Sequence, residues 1–267
     1  MTSVAGEEAR RVRRFLMGTF TVTWGAWWAL AALTANGTLE AGGPAATALL
    51  VLGGSAPTWM AYLAVWRTPG AGSVRELTAR VLRVRVPAGL LVGAVLGAAL
   101  LGLLSRALAD VIAGVAWPQD PAGAALVFVP AFATGIVLGG IEEVGWRGVL
   151  QPALRTRHGL VTTNLVIAVV WALWHLPLFW VVGDPRQGAS FGLFALAGLG
   201  YSAGMTWLYD RTGSVALCVL FHAGINAATA AGLSFAAADT PGFAVQAVVL
   251  AVLGSALLMR RARSGGG

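Results

Sequence analysis

Residues 127–152 read VFVPAFATGIVLGGIEEVGWRGVLQP. The run is longer than the about 20 residues a helix needs to cross a bilayer, and its first half is wholly apolar or small. Its second half carries Glu142, Glu143 and Arg147. Ionisable groups at that depth are costly unless they face a partner or a cavity, so they mark a candidate functional site by default. The stretch reads as a membrane-spanning helix with chemistry on it.

The surrounding sequence supplies the membrane. Of 267 residues, 57% are apolar and only 11% charged, against about 25% charged in an ordinary soluble domain. With a mean hydropathy of +0.76, there is too little polar surface to cover a globule, which excludes a single water-soluble domain and disorder. Apolar stretches at 15–33, 45–66, 86–105, 127–152, 161–182, 191–209, 214–233 and 243–259 predict an all-α, polytopic bundle of about eight spans. Residues 1–126 hold three N-terminal spans with a basic segment at 67–85, 127–233 hold spans four to seven, and 234–267 hold the last span and a basic flexible tail.

The net charge of +7 is carried entirely by arginine. In a soluble protein such an excess suggests nucleic acid; here it reads as orientation, and no nucleic-acid partner is expected. One orientation gathers Arg10, Arg11, Arg13, Arg14, Arg67, Arg75, Arg80, Arg83, Arg85, Arg155, Arg157, Arg211, Arg260, Arg261 and Arg263 on one side, leaving Arg106 and Arg186 on the other. The positive-inside rule then places both termini in the cytoplasm of a multi-pass cell-membrane protein. Within the basic segment, 73–85 (SVRELTARVLRVR) puts Val74, Leu77 and Val81 on one helical face, as an interfacial helix or a solvated basic loop. Cys218, the single cysteine, is expected to serve packing.

Besides Glu142, Glu143 and Arg147, the ionisable groups inside spans are His175 and His222. Glu143 and Arg147 are four apart and can pair along one helical face. Glu142 lies about 100° around an α-helix from Glu143 and is left without that partner, available as a general base. His222 and Asn226 project from one side of their span, offering two directed polar groups toward one point. His175 follows Trp171 by one turn and precedes Pro177, which frees a carbonyl and opens space beside the histidine. At about 1.5 Å per residue, these groups reach similar depths and can share one cavity.

These residues resemble those of the CAAX protease and bacteriocin-processing family, intramembrane glutamic endopeptidases related to type II CAAX prenyl endopeptidases. Glu142-Glu143-Val-Gly-Trp-Arg147 is similar to its E-E-x-x-x-R, Trp171-Ala-Leu-Trp-His175 to its F-x-x-x-H, and His222-Ala-Gly-Ile-Asn226 to its H-x-x-x-N/D. The departure is Trp171 where phenylalanine is usual. The resemblance implies peptide hydrolysis inside the membrane: Glu142, assisted by His175, activates water, and His222 with Asn226 forms an oxyanion hole. Glu143, Arg147 and Trp171 then position the site. It implies no cofactor, with membrane lipid and a membrane-anchored or lipidated protein or peptide as partners. Two alternatives stay open: a zinc-dependent version, since two histidines and a carboxylate can ligate Zn²⁺, and a non-catalytic immunity or proton-coupled transport protein using the same cavity.

Overall fold

The computed structural model describes residues 4–264 apart from 69, 71, 115–120 and 239. Among the described residues every regular element is helical: α1 (Val4–Ala35), α2 (Pro44–Trp66), α3 (Val74–Val81), α4 (Ala88–Ala113), α5 (Pro121–Leu138), α6 (Glu143–Gly145), α7 (Gln151–Arg155), α8 (Leu160–Trp174), α9 (Phe191–Thr212), α10 (Val215–Ala230) and α11 (Thr240–Ser264). Short 3₁₀ turns fill Gly140–Glu142 and Leu176–Trp180, and a π-helical turn fills Trp146–Leu150. Among the described residues, seven segments are long and apolar enough to cross a membrane. The remaining predicted span, 214–233, forms the 16-residue α10, which at about 24 Å is shorter than the hydrocarbon core of about 30 Å.

Local chemistry sets the boundaries. Ser190 and Ser214 cap α9 and α10 by accepting from the backbone N–H of Leu193 and Leu217, and Gly213, at φ 61°, closes α9 in the left-handed region. Ser73 and Glu76 form a reciprocal capping box on α3. The basic segment is thus helical, but its apolar face does not simply lie on lipid. Leu77 is fully buried, and Arg80 donates to the carbonyl of Gly148 at 3.2 Å.

The stretch 127–152 departs from the regular helix its composition predicts. It breaks at Gly139–Gly140 because α10 crosses there: a Cβ on Gly139 would collide with the Asn226 amide, and one on Gly140 would sit 2.8 Å from the Val219 carbonyl. The freed carbonyl of Ile141 accepts from Thr58 Oγ1 at 2.7 Å. The last span also differs from its predicted end. Rather than fraying into a tail, α11 continues through Arg260, Arg261 and Arg263 to Ser264, with Arg261 Nε 3.1 Å from Asp210 Oδ2; residues 265–267 lie outside the described set.

Helix α1 packs on α2, α9 on α11, and α10 between α4 and α5. The α9–α11 crossing is tight because Gly200 lies against the backbone of Leu250, and a Cβ on Gly254 would stand 2.8 Å from that of Ala203. Two large apolar cores result among the described residues, beside a small cluster of Leu160, Ala203 and Leu258. One gathers Phe15, Trp27, Trp146 and Trp174; the other gathers Tyr201, Phe221, Phe235 and Leu250, with Cys218 fully buried among them. Outward-facing side chains such as Leu100, Val111, Leu126 and Val129 are largely exposed, as lipid-facing residues are. The polar residues of interest occupy the seam between the two cores.

Candidate active site

Glu143 sits at the start of α6, three residues past the glycine break, and is fully buried. Its Oε2 accepts from Arg147 Nη1 at 2.6 Å and its Oε1 from His222 Nδ1 at 2.8 Å. Arg147 also donates through Nη2 to the hydroxyl (2.8 Å) and carbonyl (3.2 Å) of Ser202 on α9. The predicted pair therefore forms, and it ties α6, α9 and α10 together. Sequence reasoning missed Ser202; in a span that also carries Tyr201, Thr206 and Tyr209, one more hydroxyl gave no distinguishing signal.

Glu142 is not partnerless. Trp171 Nε1–H donates to its Oε1 at 2.7 Å, and the same oxygen lies 3.3 Å from His222 Nδ1. The expectation failed because helical spacing counts partners only on the same helix, whereas these come from α8 and α10. Nor do the two glutamates diverge: both carboxylates reach one imidazole nitrogen.

The tryptophan that departs from the family pattern is placed with care. Its ring stacks on Phe194 (5.2 Å between centroids, 12° between planes) and lies 4.1 Å from the His175 ring. Gly198 makes room for it, since a Cβ there would stand 2.9 Å from Trp171 Cζ3. His175 caps α8, where the span continues past Pro177 as a 3₁₀ turn rather than as the α-helix read over 161–182, and its Nδ1–H donates to the carbonyl of Trp171 at 3.0 Å.

Glu142, Arg147, Trp171, His175, His222 and Asn226 all line one cavity of about 460 Å³. The remaining walls are mostly apolar, from Trp27 and Leu50 on one side to Tyr201, Phe235 and Phe243 on the other. Among the described residues, no hydrogen bond engages His175 Nε2, His222 Nε2 or the Asn226 amide. Polar groups in an apolar interior normally find partners, so three unclaimed groups around one cavity are placed for something that enters it.

Glu142, Glu143 and His222 each offer one ligand atom, all within 4.8 Å of one another. Both oxygens of Glu143 are already engaged, and a dication there would face the Arg147 guanidinium. His175, the second histidine of the zinc alternative, is outside this cluster. The donor set fits a resident metal poorly.

Residues 123–228, which contain all three motifs, match the family model of the type II CAAX prenyl endopeptidases, Rce1-like. The match covers 106 of the 267 residues. The chain is also similar to CAAX prenyl protease 2 of Methanococcus maripaludis, at 31% identity over 106 residues, 37% of this chain and 39% of that protein. The chain thus matches about two-fifths of the length of this curated relative. The matched segment includes the glycine break, both glutamates and most of α10, while α1–α4 and α11 lie outside the match and pack around it.

Proposed function

We propose that the chain is an intramembrane endopeptidase acting on a membrane-anchored protein or peptide, with Glu142 and His175 activating water and His222 and Asn226 receiving the developing oxyanion. The observation that carries this reading is the set of three unclaimed polar groups facing one cavity beside the Glu142 carboxylate. With its Nδ1–H committed to a backbone carbonyl, the neutral His175 ring has its lone pair on Nε2, where it can hold a water for Glu142 to deprotonate. Water oxygen attacks the scissile carbonyl as its proton passes to the carboxylate, and that proton goes on to the leaving amine.

His222 donates to the oxyanion through Nε2 in its charged form, with Glu143 as counter-ion, and Asn226 adds a neutral N–H. Glu143 and Arg147 hold these groups in register. Trp171 fixes the Glu142 carboxylate by its indole N–H, which a phenylalanine could not do. The family model and the relative's name support a peptide substrate; prenylation of that substrate is decided by comparing peptides with and without the lipid. What speaks for a metal-free reaction is the prior engagement of both Glu143 oxygens.

The test is hydrolysis of a membrane-anchored peptide by the purified full chain in liposomes, with products identified by mass spectrometry. Wild type should cleave, Glu142→Gln should lose activity by about 10³-fold, and a chelator should change nothing. If a chelator abolishes cleavage and zinc restores it, the zinc-dependent version stands instead. If wild type and Glu142→Gln are equally inert while proton flux differs between them, the site serves transport.

A further inference from the structure

A second concavity, sharing no lining residue with the first, lies where three spans end. It has a volume of about 470 Å³ and lies between the first turns of α1 and the turn joining α7 to α8. Val12, Leu16, Met17 and Leu154 line it on the apolar side, and Arg13, Arg157 and His158 on the polar side. The level is that of the lipid headgroups, because the candidate span ending at Arg155 and the one starting at Leu160 meet there.

The arginines at this corner of the bundle divide in two. Arg10 pairs with Glu7, Arg11 with Glu8 at 3.6 Å, Arg155 with Asp210 at 3.5 Å, and Arg14 donates to the carbonyl of Arg67. Arg13 and Arg157 have no hydrogen bond or ion pair through their guanidinium groups among the described residues. The two left free are the two that line the groove. Its one carboxylate, Glu8, is already engaged by Arg11 and by the Thr156 hydroxyl at 3.4 Å. The groove is therefore cationic at one end, apolar along its floor, and continuous with the membrane-facing surface of α1, where Met17 is 64% exposed.

We infer that this groove binds one anionic phospholipid, its phosphate between Arg13 and Arg157 and an acyl chain along Val12, Leu16 and Met17. Free phosphate shares the charge chemistry but has no use for the apolar floor. Basic pockets between spans recognise anionic headgroups in this way, each arginine near the surface adding about 1 kcal/mol.

The experiment titrates the purified full chain in neutral detergent with phosphatidylglycerol, phosphatidylcholine or inorganic phosphate, reading bound adducts by native mass spectrometry and the shift in Tm. Phosphatidylglycerol should bind and raise Tm, while phosphatidylcholine and phosphate should do neither. Arg13→Gln with Arg157→Gln should weaken phosphatidylglycerol by about 30-fold, the equivalent of two such arginines. Arg75→Gln with Arg85→Gln removes the same charge from exposed positions elsewhere and should leave binding as in wild type. Equal binding of phosphatidylcholine, an equal Tm rise with phosphate alone, or equal losses in the two double variants would each overturn the proposal.

Discussion

The two sides of the Gly139–Gly140 break belong to one membrane crossing yet are built on opposite terms. Before it, α5 is regular and apolar; between 123 and 138 only Gly135 is buried. After it, every residue from Glu142 to Leu150 is buried, and the backbone passes from 3₁₀ through α to π within that span. The regular half faces outward and carries no polar chemistry. The irregular half holds both glutamates and Arg147. Irregular backbone in a membrane survives only where protein surrounds it, and short π turns concentrate at functional sites. The burial that shelters the distorted backbone is the same burial that makes its charges useful.

Substitutions should separate the halves by size of effect. The largest concerns the buried pair: Arg147→Met strands the Glu143 carboxylate and should cost about 3–5 kcal/mol, seen as a lowered Tm in detergent and loss of cleavage. Gly139→Ala tests the break itself. Its methyl pushes away the Asn226 amide, the movable end of a side chain, so the fold should persist while cleavage falls by about 10²-fold, the scale on which misplacement by about 1 Å acts. Trp171→Phe keeps the ring but removes the donor to Glu142. A hydrogen bond to a charged group is worth about 1.5 kcal/mol or more, so kcat should fall roughly tenfold or somewhat further with KM and Tm little changed. Val129→Ala, in the outward half, should shift stability by less than about 0.5 kcal/mol and leave turnover unaltered. A large effect there would erase the distinction.

Much of this was legible in the sequence, for physical reasons that also explain the omissions. The spans could be read because apolar runs need no long-range information, and His222 with Asn226 shared a face as their spacing requires. Glu143 found Arg147 because both sit on the same turn. Glu142 was misread as unpaired because Trp171 stands 29 residues away on another helix. The break at Gly139 was invisible for the same reason, since only the approach of α10 gives that glycine a cost to replace. Relations along one helix are written in spacing; relations between helices require the packing.

The shortness of α10 has a consequence for supply. The proposed hydrolysis consumes a water molecule at a depth from which lipid excludes it. A central helix that stops at Ala230 passes the end of its column to an irregular turn, in which Ser234 and Phe235 are buried. There Thr229, Ala230 and Ala236 line the cavity. Water for the proposed reaction can then reach the cavity past this turn rather than through the lipid-covered flank.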